Sequence, residues 1–435
     1  MRDRRFGYAS VPSRHCIICT KDGLTRRGDS QLQYNREGMV SLTLTDEQKR
    51  VLSFIDEREI TRFLQQLIRQ NSENPPGREA NVARIIFDEL NACGATVEAQ
   101  PIEKNRYNVL GTCKGSSEQK MLFNGHMDTV PLGNRTAWHS SALSGEIRNG
   151  CIFGRGAADM KGGLTAQIFA FKAMMKSGLP RKRGLLLTAV IDEEVNFKGT
   201  KKLISEGKLD ACEFGYVAEP SSLNIATCLK GGIEFVARTY GKSVHTGVAF
   251  NGDNAIAKMG KVILALERYN CQLRERKNVP YLKYPTLNIG TICGGSAVTM
   301  VPDVCAIAFD RQVLPEEDPL EAEAEVRQVI RNIKSEVELK KMQSFNTWSV
   351  DQNARVASRL AEAYQMLSDR RPDYCGFNGY SEVELLSKAG IPSVIFGPGN
   401  IRVAHAANEY VSIKQVVDAA RVYALLAYQY VCCDD

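Results

Sequence analysis

The chain has 435 residues, of which 43% are hydrophobic and 24% are charged, a composition that excludes a disordered or fibrous protein and allows two globular domains. The net charge is +6, but residues 1–40 hold eight Lys or Arg against four Asp or Glu, so the remaining chain is nearly neutral. Because no run of about 18 apolar residues is present either, we expect no nucleic acid and no membrane as a partner.

Residues 1–44 form an N-terminal tail that we expect to be disordered. Residues 1–38 show no hydrophobic periodicity and no apolar signal core, and Met39 is a candidate alternative start. Cys16 and Cys19 form a Cys-x-x-Cys pair, but no second pair follows that would complete a structural zinc site. The thirteen cysteines are scattered and odd in number, which indicates reduced thiols and a cytoplasmic protein.

The first elements alternate between helix and strand. Helical spacing predicts one helix over residues 45–70 and another over 79–92, and strand patterns follow at 96–101, at 107–112 and in the apolar run before His126. Strands interleaved with helices predict an α/β sheet.

His126 and Asp128 follow this last apolar run and are two residues apart. On an extended backbone their side chains point the same way. A carboxylate in that position can orient an imidazole that binds a metal ion. The pair becomes informative only if other metal ligands reach the same place.

A glycine-rich turn at residues 154–163 leads into a predicted helix at 164–175, with Asp159 at the junction. An aspartate there can cap a helix or serve a functional site. The spacing matches neither a dinucleotide-binding loop nor a phosphate loop.

Three further apolar runs, at residues 184–191, 214–218 and 391–396, precede acids or a histidine. Open α/β sheets place their sites at the carboxyl ends of such strands. The candidate metal ligands collected in this way are two imidazoles and three carboxylates: His126, Asp159, Glu194, Glu219 and His405. Five ligands are too many for one tetrahedral zinc ion, and they suit two metal ions that share a carboxylate.

Glu193 lies next to the candidate ligand Glu194 and is not itself a candidate ligand. It is therefore free to act as a base. Two divalent cations carry four positive charges, which three ligand carboxylates and an ionised Glu193 would balance. An unligated glutamate beside two cations can take a proton from a water molecule whose pKa the metals lower.

Five motifs, at residues 125–131, 154–163, 192–194, 218–221 and 397–405, together resemble a family of di-zinc amidohydrolases and peptidases. The family includes acetylornithine deacetylase, succinyl-diaminopimelate desuccinylase, aminoacylase and glutamate carboxypeptidase. The resemblance extends from about residue 45 to the C-terminus. It implies a hydrolase that cleaves the amide bond of N-acyl amino acids with two divalent ions, zinc or cobalt.

The resemblance also implies a role for each motif residue. Asp159 would bridge the two metal ions, Asp128 would orient His126, and Glu193 would be the general acid and base. The remaining ligands would divide into one pair for each metal ion: His126 with Glu219, and Glu194 with His405.

After Lys230 the pattern changes to the order β-α-β-β-α-β, which is typical of a ferredoxin-like sandwich. The predicted elements are a strand at 233–240, a helix at 254–269, strands at 286–292 and 304–313, a helix at 319–333 and a strand at 342–350. The resemblance implies that this is an inserted lid and dimerisation domain. We therefore predict residues 45–229 and 351–435 as the two parts of the catalytic domain, residues 230–350 as the lid, and a helix over 352–367.

Two residues of the predicted lid match functional positions of the family. His245, in the motif at 241–247, would reach the partner's active site in a homodimer and stabilise the oxyanion of the tetrahedral intermediate. Arg311 would bind the carboxylate of the substrate, a task that suits its planar guanidinium.

The substrate stays open at this point because the chain departs from the family at residues 299–303 and 380–382. Alternatives are a deacylase of small N-acyl amino acids and a carboxypeptidase or dipeptidase that takes short peptides. Glu219 favours a deacylase or carboxypeptidase, because the aminopeptidase branch tends to have Asp there. A non-catalytic binder of amino-acid derivatives is disfavoured, because Glu193 and all five ligands are present.

Overall fold

The computed structural model describes residues 33–34, 40–41, 44–276, 280–333, 335–368 and 370–434. Within the predicted tail it describes one short antiparallel pair, Gln33–Tyr34 (β1) with Val40–Ser41 (β2), as a unit separate from residues 44–435. Cys16, Cys19 and the rest of the predicted tail lie outside the described residues.

The chain from residue 44 onward forms two main sheets with their helices and a third, three-stranded sheet. Its first part contains, in order, α1 Asp46–Leu52, α2 Glu57–Ile68, α3 Ala80–Ala92, β3 Thr96–Glu103, β4 Arg106–Cys113, β5 Lys120–His126, β6 Glu146–Arg148, β7 Cys151–Phe153, α4 Gly162–Ser177, β8 Gly184–Val190, α5 Lys198–Ser205, β9 Cys212–Val217 and β10 Ile225–Leu229. The next part contains β11 Gly231–Tyr240, α6 Ala255–Arg274, β12 Thr286–Gly294, β13 Val304–Val313, α7 Pro319–Arg331 and β14 Val337–Phe345. The last part contains β15 Trp348–Ser349, α8 Arg355–Gln365, β16 Tyr374–Phe377, α9 Val383–Lys388, β17 Ser393–Ile395, β18 Tyr410–Ser412 and α10 Ile413–Cys432. The third sheet has the strand order β18-β7-β6.

The larger sheet has the strand order β15-β10-β17-β9-β5-β8-β4-β3, with β16 beside β10. Its centre is parallel, because β5 runs parallel to both β8 and β9, and β17 runs parallel to β9. All residues of β8 are buried, as expected for a strand inside the sheet, where it pairs parallel with β5 and antiparallel with β4. The carboxyl ends of four neighbouring strands therefore meet at one edge, which confirms the predicted α/β architecture.

The smaller sheet is antiparallel with the order β12-β13-β11-β14, and α6 and α7 cover one of its faces. Its core, which includes Phe235, Val262 and Phe309, is separate from the core of the larger sheet. The predicted β-α-β-β-α-β order of this segment is confirmed. The chain enters this sheet after β10 and returns with β15, which pairs with β10, and this path supports the proposed division at residues 230 and 350.

Several predicted elements are wrong in their bounds, among them the helix predicted at 254–269, which extends to Arg274. The single helix predicted over residues 45–70 is two helices, because Asp56 caps α2 by accepting a hydrogen bond from the Glu59 backbone at 2.8 Å. The predicted apolar stripe of Ile60, Phe63 and Leu67 is nevertheless buried. The last strand of the smaller sheet begins at Val337 rather than at residue 342.

In the described part of the chain, no helix has the length and hydropathy needed to cross a membrane.

The first turn of α4 provides a test of the packing. A Cβ atom on Gly163 would lie 1.9 Å from the Ala218 carbonyl oxygen at the end of β9. Overpacking of this kind costs about 1–3 kcal/mol, more than the gain of about 1 kcal/mol in helix propensity. We therefore expect Gly163→Ala to lower the free energy of unfolding, measured in urea by circular dichroism.

Gly260→Ala is the matched control, because Gly260 lies within α6 and its added Cβ would meet nothing within 4 Å. This change should raise the free energy of unfolding by about 1 kcal/mol. Equal stabilisation by both substitutions would contradict the close approach of α4 to β9.

Candidate active site

The structure brings the five predicted metal ligands together in two groups that share Asp159. Oxygen and nitrogen atoms of His126, Asp159 and Glu219 lie within 4.8 Å of one another, and so do those of Asp159, Glu194 and His405. Each oxygen of Asp159 faces one histidine: Oδ1 is 3.1 Å from His126 Nε2, and Oδ2 is 3.2 Å from His405 Nε2. The two groups contain the same pairs that the family resemblance implies, and the role of each residue toward a metal ion stays a prediction.

The ends of the parallel strands position this cluster. His126 is the last residue of β5, Glu194 follows β8, and Glu219 follows β9. His405 follows β17 and a short 3-10 turn at Ile401–Val403. Asp159 lies in the turn Ala157–Lys161 and does not cap α4, which begins at Gly162 after Lys161 without a side-chain cap.

The donor set fits divalent cations, and the burial of Glu219 supports this. Glu219 is 2% exposed, and its Oε1 has no hydrogen-bond partner in the described part of the chain. A buried carboxylate oxygen without a partner is costly. Burial and the charge of Asp159 raise the pKa of Glu219 well above its usual range. Hydrogen bonds with Asp159 and Glu194 also raise the pKa of His405, to about 10, so the cluster attracts positive charge.

Glu193 lies beside the two groups without belonging to either. Its Oε2 is 3.9 Å from His126 Nε2, and its side chain lines the same cavity as Asp159 and His405. Burial, followed by the charges of Glu219 and Glu194, raises the pKa of Glu193 well above its usual range, while the charge of His126 lowers it. A glutamate with a raised pKa is suited to proton transfer.

Asp128 contacts His126 mainly through its backbone. His126 Nδ1 is 3.0 Å from the Asp128 carbonyl oxygen but 3.6 Å from the Oδ1 of its carboxylate. The carboxylate instead accepts hydrogen bonds from the Asn74 side chain at 2.9 Å and from the backbone N–H groups of Glu193 and Glu194 at 3.2 Å each. Asp128 therefore positions the two glutamates as well as the histidine.

The contacts that hold the turn after β8 were not predicted from the sequence. Asp192 is 1% exposed with a φ of 66°, a conformation in which asparagine and aspartate are enriched. Its Oδ1 accepts hydrogen bonds from Asn74 at 2.9 Å and from Arg106 at 3.2 Å, and Arg106 also pairs with the buried Glu79. The cation that offsets Asp192 is thus Arg106 of β4, and no local motif marks it.

A second missed pair, Arg155 with Glu409, supports Asp159. Glu409 Oε2 is 2.7 Å from Arg155 Nη1, and its Oε1 accepts the backbone N–H groups of Ala158 and Asp159 at 2.9 and 3.1 Å. Arg155 also donates to the His405 carbonyl oxygen at 3.3 Å. The Gly-Arg-Gly motif at residues 154–156 was the available signal for Arg155.

The structure places Arg311 away from the cluster, which corrects the prediction that it binds substrate. Its guanidinium is fully buried on the helix-covered face of the smaller sheet, 2.7 Å from Glu317 and 3.1 Å from the Tyr269 hydroxyl. Because successive strand residues point to opposite faces, Arg311 faces α6 and α7 rather than the cavity. His245 is exposed between β11 and α6, in the segment from β11 to β14 that we call the smaller domain, and it does not line this cavity.

A parallel sheet that carries two linked imidazole and carboxylate groups, with an inserted α+β domain, defines a hydrolase of the metallopeptidase class. Residues 122–429 match Peptidase family M20/M25/M40, and the chain belongs to that family. The match confirms the family resemblance inferred from the motifs and identifies an enzyme that hydrolyses amide bonds.

Curated relatives and solved structures cover most of the chain. N-formyl-4-amino-5-aminomethyl-2-methylpyrimidine deformylase of Bacillus subtilis is 26% identical over 396 residues, 84% of this chain and 92% of the relative. Acetylornithine deacetylase of Myxococcus xanthus is 29% identical over 352 residues, 77% of this chain and 88% of the relative. The structure of a dipeptidase from Saccharomyces cerevisiae covers 88% of this chain and 98% of its own, with a TM-score of 0.73 at 15% identity, and shows a shared fold.

Glu382, near the cluster, allows a test by pH. It is fully buried, accepts a hydrogen bond from Thr200 at 2.7 Å, and has one oxygen without a partner in the described residues. Burial raises its pKa from 4.5 to about 7. Between these values the folded state binds more protons than the unfolded state, so this group makes stability fall as pH rises. At about 1.4 kcal/mol for each pH unit, the free energy of unfolding falls by about 3 kcal/mol between pH 4.5 and 7.

Glu382→Gln removes this titration and keeps the hydrogen bond from Thr200. As the pH rises from 4.5 to 7, the free energy of unfolding of the variant should rise by about 3 kcal/mol relative to that of wild type. Both proteins are measured in the presence of a metal chelator. Glu362→Gln, on the exposed side of α8, should keep the wild-type slope. An unchanged slope in Glu382→Gln would show that this glutamate does not titrate on folding.

Proposed function

We propose that the chain removes the acyl group from a small N-acyl amino acid. The observation that carries the proposal is the pair of ligand groups that share Asp159, with Glu193 beside them but in neither group. The names of the relatives, a deformylase and a deacetylase, support removal of a short acyl group. The identity of that acyl group is part of the test.

We propose two divalent cations, zinc or cobalt, as the cofactors. His126 and Glu219 would hold one, Glu194 and His405 the other, and Asp159 would bridge them. Nitrogen and carboxylate donors of this kind suit zinc. When bound, such ions lower the pKa of water and polarise a carbonyl group.

Glu193 would perform the proton transfers of the reaction. Its carboxylate accepts a proton as the water oxygen bonds to the amide carbon, and it returns this proton to the nitrogen as the carbon–nitrogen bond breaks. The products are a carboxylic acid and an amine. Asp128 holds the backbone of Glu193 and thereby sets the position of the base.

We further propose that a second copy of the chain binds the smaller domain. Five apolar side chains are exposed there, on β12 and on the segments beside His245: Val248 (42%), Phe250 (84%), Ile292 (59%), Val298 (96%) and Met300 (45%). Exposed apolar residues that cluster in this way mark a contact surface. His245 pairs with Met300 by a backbone bridge within this surface, so a partner bound there would meet His245.

We keep the cytoplasm as the proposed compartment. The cysteines in the described part of the chain are free, and Cys113, Cys212 and Cys228 are buried among them. Free buried thiols are typical of a reducing compartment.

The proposed reaction can be tested with metal analysis and a panel of substrates. We expect up to two divalent ions per chain and hydrolysis of at least one formyl, acetyl or succinyl amino acid by zinc- or cobalt-loaded protein. Dipeptides in the same panel test the alternative, a carboxypeptidase or dipeptidase. No turnover of any member would contradict the proposal.

Two isosteric variants serve as matched controls for this prediction. Glu193→Gln should lower turnover about a hundredfold to ten-thousandfold with near wild-type metal content, because only the base is lost. Glu194→Gln should lose metal first. Loss of metal in Glu193→Gln would show that the roles of the two glutamates are reversed.

The proposed dimer can be tested through His245. Removal of an oxyanion donor costs about 3–4 kcal/mol, so His245→Ala should lower turnover about a hundredfold or more with metal still bound. His139→Ala is the control, because His139 is an exposed histidine outside the smaller domain. Mixed dimers of His245→Ala and Glu193→Gln chains should regain activity, because one of their sites contains neither defect. No recovery despite proven subunit exchange would place His245 outside the partner's site.

A further inference from the structure

The cavity above the ligand cluster has a wall formed by the smaller domain. It has a volume of about 290 Å³ and is lined at one end by the cluster and Glu193. At the other end it is lined by Glu234, Gln343 and Phe345, which come from β11 and β14. Such a volume suits a small molecule that extends from the cluster to the smaller sheet.

The charges that line this cavity are almost all negative. Apart from the Tyr380 hydroxyl, its ionisable side chains, among the described residues, are five carboxylates and His405. Four of these six groups are proposed metal ligands and Glu193 is the proposed base, so Glu234 is the charge left to meet the substrate. A substrate carboxylate at that end would face Glu234 without a lining Lys or Arg, and like charges repel.

Glu234 is held in place by a side chain of the neighbouring strand β14. Gln343 donates a hydrogen bond to its Oε2 at 2.9 Å, and no ion pair of Glu234 occurs in the described part of the chain. Asp310 lies on the same face of the sheet. Burial is the main cause that raises the pKa of Asp310, and the charge of Glu234 adds to it. This face of the sheet is therefore electronegative.

Aromatic rings complete the wall around Glu234. Phe345 stacks on Tyr380 with ring centroids 3.9 Å apart, and Phe197 meets Phe345 edge-on at 6.3 Å. Gln312 fixes the Tyr380 hydroxyl by a hydrogen bond of 3.0 Å, and the absence of a side chain on Gly232 leaves room for it. Ring faces beside a carboxylate attract an organic cation.

We infer that the substrate carries a second, protonated amine, which lies against Glu234, Phe345 and Tyr380 while its amide lies at the ligand cluster. The inference rests on the proposed function only for the position of the amide. It makes Glu234 the residue that selects N-acyl derivatives of diamines and basic amino acids over neutral or acidic ones.

The test compares N-acetyl-L-ornithine with N-acetyl-L-norvaline, which differ only in the terminal ammonium group. Wild-type metal-loaded enzyme should prefer the ornithine derivative by about tenfold or more in kcat/KM, because one close charge pair is worth at least about 1.5 kcal/mol. Glu234→Gln should reduce this ratio toward one, and the glutamine can still accept the hydrogen bond from Gln343.

Glu338→Gln is the matched control, since it removes a carboxylate of the adjacent strand β14 that contacts Tyr240 and does not line the cavity. It should keep the wild-type preference. Equal kcat/KM for the two compounds in wild type, a preference for N-acetyl-L-glutamate, or a preference that survives Glu234→Gln would each overturn the inference and leave the proposed hydrolysis intact.

A binding measurement separates this inference from the proposed function. Calorimetry with L-ornithine and L-norvaline needs no turnover. Tighter binding of ornithine to wild type but not to Glu234→Gln would support the amine site even if neither acetyl compound is hydrolysed. Equal binding of both amino acids to wild type would overturn the proposed amine site at Glu234.

Discussion

Burial of carboxylates around Asp159 is the constraint on which the rest of the site depends. The side chains of Asp159, Glu194 and Glu219 lie almost out of water, beside the buried His126 and the half-exposed His405, and like charges at such distances repel strongly in a medium of low dielectric constant. The imidazoles offset part of this charge, and Glu219 keeps an oxygen without a partner in the described residues. The proposed cations would offset this repulsion, so the burial that makes the carboxylates repel one another also favours the binding of cations at this cluster.

A surrounding set of polar groups keeps this cluster in shape. Asn74 links Asp128 to Asp192, and Arg106 offsets Asp192, so the turn that carries Glu193 and Glu194 is held from two other elements. Glu409 accepts the backbone N–H group of Asp159 on the opposite side. Groups of this kind fix the geometry of ligands and base without touching a substrate.

The smaller sheet contributes through the side chains on one of its faces. Because strand residues alternate, β13 directs Arg311 toward α6 and α7 and its two neighbours toward Tyr380. β11 directs Glu234 toward the cavity by the same rule. The strand register thus decides which charged side chain faces the cavity. A shift by one residue would turn these side chains to the opposite face of the sheet.

Local patterns in the sequence were sufficient for the α/β class, the β-α-β-β-α-β insertion and the five candidate ligands, because hydrophobic periodicity and strand ends are encoded within a few neighbouring residues. His126 ends one apolar strand, and Glu194 and Glu219 follow two others within four residues, where such sites are expected. Only the tertiary structure decided that β17, β9, β5 and β8 lie side by side, that Arg106 and Glu409 support the cluster, and that Glu234 rather than Arg311 lines the cavity. These features depend on pairing between residues far apart in the chain and on which face of a strand is covered, and neither is encoded in a local pattern.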